Sequence, residues 1–298
     1  MHRPPAINGV SPSRIQLPAG DWATVLDVLC ARFPAIDRAT WRDRFAQGKV
    51  LDAQGRAMAE SAAHRTGAEV FYYREVDDEP AVPAVECIVH RDAHLIVVDK
   101  PRFLPVVPSG RFVHETLLAR LVRRFGNTDI APLHRLDRLT AGLVLFSCNR
   151  ATRADYQALF REQRILKRYQ ALAAPLPDAT FPHLRRSRIE TGEPFFRMRE
   201  AEGEPNSVTR IDVIERGDAV WRYALEPVSG RKHQLRVHLA GLGAPIIGDP
   251  LYPHLSDPQA DDPARPLQLL ACELEFDDPL NGRRRRFESG LRLPALIR

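Results

Sequence analysis

Apolar positions recur at helical spacing in the first patterned stretch of the chain. Leu26, Leu29, Cys30 and Phe33 fall on one face, which predicts an amphipathic helix. A second segment of this kind carries Trp41 and Phe45 before Gly48 stops it. Lys49-Val50-Leu51 then leads into the turn Asp52-Ala53-Gln54-Gly55, and Val70 to Tyr73 reads as a short strand. Two short helices and a small sheet thus occupy residues 15–76, a length at which a core is marginal and a partner surface is welcome. Ahead of them, residues 1–14 are rich in Pro and Ser and are expected to form a disordered or loosely attached tail. Behind them, the acidic and proline-bearing stretch from Asp77 to Glu86 reads as a linker, so residues 77–85 separate a first domain from a second at 86–298.

From residue 86 strands mix with helices. Ile88-Val89 and Leu95 to Val98 are β-branched runs, and His114 to Phe125 has helical spacing. Leu143 to Phe146 reads as a buried strand, with Asn149 as the cap of the next helix. Residues 150–166 are then expected to be helical and Lys167 to Ala173 a strand, while Trp221, Tyr223 and Leu225 alternate on another. Leu269 to Phe276, the turn Asn281-Gly282 and the run Arg283 to Arg286 predict a hairpin. The fold class implied is α+β, with a mixed, largely antiparallel sheet and flanking helices. No G-x-G-x-x-G follows a strand, as a dinucleotide-binding fold would require.

Composition changes the picture little. A chain of 298 residues, 44% hydrophobic and 27% charged, is that of a soluble globular protein. Its formal charge of +5 favours an anionic partner. The four cysteines form no C-x-x-C pair and read as small buried thiols in a reducing compartment. Without an apolar leader region or a run of the ~18 residues that span a bilayer, the protein is expected to be cytoplasmic, with no membrane partner.

Three stretches carry candidate chemistry. In HRLDRLTAGLVLFS, Arg135 and Asp137 lie two apart beside an apolar run, so the carboxylate sits near the core and needs a positive partner to stay ionised. A structural ion pair would satisfy this as well as a catalytic group. In SGRKHQLRVHLAGLGAPIIGDPLY, Leu235, Leu239 and Leu242 share a helical face from which Arg236 projects away. Gly230 permits a turn before this helix, whose first N–H groups with Arg231 and Lys232 are suited to a phosphate. His233, His238 and Asp249 invite a metal reading, but positions five apart lie on different faces and no H-E-x-x-H is present, so no metal is expected. In LKRYQAL, Tyr169 shares a strand face with Ala171 and Ala173, which leave room beside its ring. Two arginine-rich stretches stay open in role. His183 to Arg199 reads as an RNA cover or a solvated loop, and Arg283 to Arg286, alternating between faces, as edge protection or RNA contact.

HRLDRLTAGL, K-R-Y-Q-A and S-G-R-K-H-Q-L-R-V-H-L-A with G-D-P-L-Y, in this order and spacing, resemble the motifs of the RluA family of RNA pseudouridine synthases. VVDKPRFLPV, from Val97 to Val106, is similar to that family's first motif, and the resemblance covers about residues 86 to 290. Two departures stand out: Ala141 where serine is common, and a longer loop from Phe103 to Thr116. The segment 15–76 is similar, more weakly, to the α-L RNA-binding module shared with a ribosomal protein, through Asp37-Arg38, Trp41, Gly48 and Val50.

The resemblance implies an isomerase that breaks the glycosidic bond of a uridine, turns the uracil and rejoins it through carbon 5. It implies ribosomal or transfer RNA as partner and no cofactor; the chain is expected to be a monomer. Asp137 is carried over as nucleophile, Arg236 as its charge partner and Tyr169 as the residue that stacks on the flipped base and moves a proton. Arg135 is expected to fill the vacated RNA stack or hold a phosphate, and Arg38, Arg42 and Lys49 to touch RNA from the first domain. A non-catalytic RNA-binding protein and a metal-dependent phosphate-ester hydrolase are the competing classes. The second would need clustered His and Asp ligands that the sequence does not supply.

Overall fold

A computed structural model describes residues 4–76, 78–256 and 262–296. The first three positions of the expected tail and Asp77 of the expected linker lie outside the described residues. The chain divides into two compact units: Met1–Pro80 with Pro108–His114 and Ala119–Thr128, and Ala81–Val107 with Glu115–Leu118 and Asp129–Arg298.

In the smaller unit β1 (Ser13–Gln16) is followed by α1 (Val25–Arg32), α2 (Arg38–Ala46), β2 (Val50–Leu51) and β3 (Glu69–Tyr72), with sheet order β1-β3-β2. Each helix starts at a side chain that satisfies free N–H groups. Thr24 and Asp27 form a reciprocal capping box on α1, and the Asp37 carboxylate accepts the Thr40 N–H at 2.6 Å on α2. Trp41 is fully buried between the rings of Phe33 and Tyr72. Order begins earlier than the composition of residues 1–14 suggests. β1 opens at Ser13, Ile7 and Val10 exchange backbone hydrogen bonds of 2.9 Å, and the Tyr73 hydroxyl donates to the Pro5 carbonyl. The signal was faint because β1 is an edge strand with one inward apolar residue, Ile15.

The larger unit is built on a single eleven-stranded sheet among the described residues. Its elements are β4 (Cys87–Arg91), β5 (Leu95–Lys100), α3 (Leu117–Phe125, divided between the units), β6 (Ala131–Pro132), β7 (Ala141–Ser147), α4 (Arg153–Arg161), β8 (Ile165–Ala173), β9 (His183–Thr191), β10 (Met198–Ala201), β11 (Ser207–Arg216), β12 (Trp221–Pro227), α5 (Gln234–Gly241), β13 (Leu269–Asp277) and β14 (Arg284–Glu288). The path runs β10-β9-β11-β12-β8-β13-β7-β5-β4, with β14 on β13 and β6 on β7. Among the described strand pairs only β13 and β7 run parallel. The sheet is therefore mixed and mostly antiparallel, as the order of elements implied. β5 and β7 are buried at every position, which is why they read as unbroken apolar runs. On one face Leu95, Val97, Leu143 and Leu145 pack with Tyr156 and Leu159 of α4.

Several local expectations are corrected. Asn149 does not cap α4. Its side chain accepts the Ala151 N–H, forming a turn, and the helix begins only after Thr152. α4 also stops at Arg161 because Gln163 takes φ +57° before β8 starts. His183 to Arg199 is no loop but the greater part of a β9–β10 hairpin whose strands carry facing acids and arginines: Glu190 faces Arg199 in register, and Arg185 pairs with Glu200. The cysteines are not buried: Cys87 is exposed on β4 and the other three are half-buried.

Gly142 faces Ala271 where β7 pairs with β13. Its φ is +112°, and a Cβ there would lie 2.2 Å from the Ala271 carbonyl oxygen. Gly142→Ala combines backbone strain with a clash against backbone. It is expected to cost roughly 3 kcal/mol, seen as a thermal midpoint lowered by at least about 6 °C. An unchanged midpoint would show that the strand pair can spread at no cost.

Candidate active site

Asp137 stands in a turn at the entrance to β7, where Thr140 N–H donates to the Asp137 carbonyl at 3.1 Å. The chain ahead of it is pinned by His134, whose Nε2 accepts the Leu145 N–H at 3.0 Å while its ring stacks on Phe160. From beneath, the buried Lys100 at the end of β5 donates to the carbonyls of Pro101, Leu104 and Arg138. That last acceptor adjoins Asp137, so the lysine fixes the turn as well as placing a cation near the carboxylate.

Arg236 arrives from α5. Leu235 and Leu239 pack into the core formed by β8 and β12, and Val237 faces Ile189 and Tyr252. Arg236 projects away from the leucines, as its spacing suggested, but into protein, and is only 2% exposed. Its guanidinium forks onto Asp249 through Nε (2.8 Å) and Nη2 (2.6 Å), while Nη1 donates to Asp137 Oδ2 at 3.2 Å. The Tyr252 ring lies 5.3 Å from the guanidinium carbon. One guanidinium thus serves two carboxylates of unequal access: the Asp249 side chain is 1% exposed and that of Asp137 26%. Asp249 also accepts the N–H groups of Leu251 and Tyr252, which makes it the anchor. Asp137 is the carboxylate that meets solvent.

Tyr169 on β8 lies between Leu225 of β12 and Ala271 of β13, beside a register shift in β13. It is half-buried and packs with Leu139 against the core that contains Ala171 and Ala173. Burial, then the charge of Asp137 and Cys272, push its phenol above the ordinary range. For Asp137 itself burial acts upward, but the neighbouring His233, Arg236 and Lys100 outweigh it and hold the carboxyl below its usual value. Burial pushes Lys100 down to about 7 against the pull of Asp137. Arg236, despite burial, is held above the guanidinium range by Asp249 and Asp137. A permanently charged partner therefore keeps the half-exposed carboxylate ionised.

Two buried histidines of this region bear on stability. His233 lies 3.8 Å from Asp137, and His238 makes hydrogen bonds with Ser187, Ser207 and Thr209. Burial is the main cause that pushes each down to about 4. The unfolded chain protonates them near 6.5 and the folded chain only near 4. The stability they contribute is thus present above pH 6.5 and drains away as pH falls towards 4. The thermal midpoint is expected to drop by about 10 °C between pH 7 and pH 4.5, and His238→Gln to flatten the slope. A midpoint flat across that interval would contradict the buried neutral state.

The other expected contacts are dispersed. Arg135 is exposed, with no hydrogen bond or ion pair among the described residues, and is free to meet a ligand. Arg231 donates through Nε to the Asn206 carbonyl, while its N–H is taken by the Gln234 side chain, and Lys232 is exposed. In the smaller unit Arg38 pairs with Asp27, Arg42 with Glu60 and Lys49 with Glu75. Arg284 and Arg286 bind acids on the outer face of β14, while Arg285 points inward to Asp92 and Asp278. Sequence reasoning weighed His233 and Asp249 only as metal ligands, and did not single out Tyr252 or Lys100. Their signal lay in the motif stretches themselves, G-D-P-L-Y and V-D-K-P, where only a fold could show what they face.

Comparison with known proteins identifies the family. The sequence profile described as RNA pseudouridylate synthase matches residues 94–241. An uncharacterized RNA pseudouridine synthase of Synechocystis is 32% identical over 76% of this chain and 79% of its own length. The dual-specificity RNA pseudouridine synthase RluA of Haemophilus influenzae is 33% identical over 68% and 91%, and that of Escherichia coli 31% over 68% and 91%. The solved structure of human RNA Pseudouridylate Synthase Domain Containing 1 superposes with a TM-score of 0.56 at 26% identity, covering 71% of this chain and 86% of that one. An arginine-held carboxylate facing solvent, a tyrosine beside it, an α+β sheet and these relatives converge: the chain belongs to the RluA family of RNA pseudouridine synthases.

Proposed function

We propose that this synthase isomerises specific uridines in structured ribosomal or transfer RNA, with Asp137 as the nucleophile. The observation that carries the reading is the pair of carboxylates on Arg236, one sealed and one open. A sealed anchor holds the guanidinium so that the open carboxylate is both ionised and aimed. The target uridine has to leave its stack, at roughly a few kcal/mol. Tyr169 stacks on the extruded base, a contact worth roughly 1–3 kcal/mol, and its hydroxyl moves a proton. Arg135, exposed and with no partner among the described residues, takes the vacated place in the stack or a flanking phosphate.

The name dual-specificity carried by the RluA relatives supports action on more than one RNA. The smaller unit is read as an RNA-binding module in which Arg38, Arg42 and Lys49 exchange their acidic partners for phosphates, and Arg231 and Lys232 hold the backbone near α5. No helix among the described residues is long and apolar enough to cross a membrane, and the reading places the enzyme in the cytoplasm as a monomer. The test is release of tritium from uracil carbon 5 in ribosomal and transfer RNA purified from cells lacking the protein. Release is expected from at least one pool. No release from either, with identical pseudouridine maps in cells with and without the protein, would overturn the substrate assignment.

A further inference from the structure

Arg236 occupies only one oxygen of Asp137; the other, Oδ1, faces His233 Nε2 at 3.8 Å. The opposite ring nitrogen, Nδ1, lies 2.9 Å from the Tyr252 hydroxyl. Tyr252 is buried, and its oxygen already accepts the Met198 backbone N–H at 2.8 Å. The hydroxyl proton therefore has Nδ1 as its acceptor; with Nδ1 protonated it would be buried without one. This fixes the tautomer with hydrogen on Nε2, the nitrogen turned to the carboxylate. A backbone amide at the start of β10 thereby sets, through two side chains, what Asp137 meets.

The backbone supports a dedicated role. His233 is the N-cap of α5, yet its side chain makes no capping hydrogen bond, and it holds a left-handed φ of +56°. An N-cap residue ordinarily spends its side chain on the helix, and a non-glycine residue avoids that conformation unless its surroundings impose it. Here the ring is spent on Tyr252 and Asp137. We infer that His233 is a positioning residue for Asp137, presenting an N–H to the oxygen that Arg236 leaves free. At 3.8 Å the ring steers the carboxylate without binding it, so Oδ1 stays available to react. The inference rests on the reading of Asp137 as the reacting group.

The test compares His233→Phe, His233→Gln and Tyr252→Phe in the full chain, with the tritium-labelled ribosomal and transfer RNA as substrate and as binding probe. His233→Phe is expected to lower the single-turnover rate about 100-fold while RNA affinity stays within about threefold. His233→Gln, whose amide N–H replaces Nε2–H, is expected to recover to within about tenfold of the parent rate, and Tyr252→Phe to fall between. The acid-side loss of rate in Tyr252→Phe is also expected at a higher pH than the parent's: Nδ1, facing Asp137, Arg236, Lys232 and Asp249, is then free to take a proton, and the charged ring would pair with Oδ1 and withdraw it from reaction. Full activity in His233→Phe overturns the inference, as do equal losses in the Phe and Gln variants that track their thermal midpoints. Failure of the underlying reading looks different: Asp137→Asn would itself remain active.

Discussion

Asp137→Asn is expected to abolish tritium release, lowering turnover by at least about 10⁴-fold while RNA affinity changes by no more than about threefold. The carboxamide matches the carboxylate in shape but carries no charge and is a poor nucleophile. The protein around it has little reason to move. Arg236 keeps its two bonds to the sealed Asp249, and the turn stays fixed by Thr140 N–H and by Lys100 on the Arg138 carbonyl. The variant therefore separates chemistry from folding. It should melt within a few degrees of the parent, and labelled RNA should bind but not exchange. Turnover within about tenfold of the parent would remove Asp137 from the mechanism.

The sealed partner of Arg236 is the part that sequence reasoning could not supply. Asp137, Tyr169 and Arg236 were legible because each sits in a motif with its own local logic: a carboxylate at a strand entrance, a ring beside small residues, and a cation off an apolar stripe. Asp249 is thirteen residues from Arg236, beyond a helix end and a turn, and its acid registers in sequence as one more possible ligand. Which residues meet across such a gap is decided by tertiary packing. The same limit governed the sheet. Continuous apolar runs announced β5 and β7 as buried, but no local pattern indicates that β13 inserts between β8 and β7. Charge was the least reliable guide. The arginines of β9 and β14 read as candidate RNA contacts, yet Arg185, Arg188, Arg284, Arg285 and Arg286 are all paired with acids. The acids stand across neighbouring strands, two residues along the same strand or in adjoining turns, and a linear count cannot distinguish this from a free basic surface.

Replacing Arg236 by methionine is expected to damage folding and catalysis together, and a second substitution should pull the two apart. Methionine fills much of the volume but leaves Asp249 buried without its cation. Removing one member of a buried ion pair costs about 3–5 kcal/mol, enough to lower the thermal midpoint by about 10 °C. Asp137 would also lose the hydrogen bond and charge that hold it ionised against burial, so turnover should fall by at least about 10³-fold. Adding Asp249→Asn removes the uncompensated charge, while the new carboxamide can still accept the Leu251 and Tyr252 N–H groups through its oxygen. The double variant should therefore regain most of the lost thermal stability and none of the lost rate. If the rate returned with the fold, Arg236 would be a structural strut. If neither returned, the Asp249 carboxylate would have to support the site beyond its pairing with Arg236.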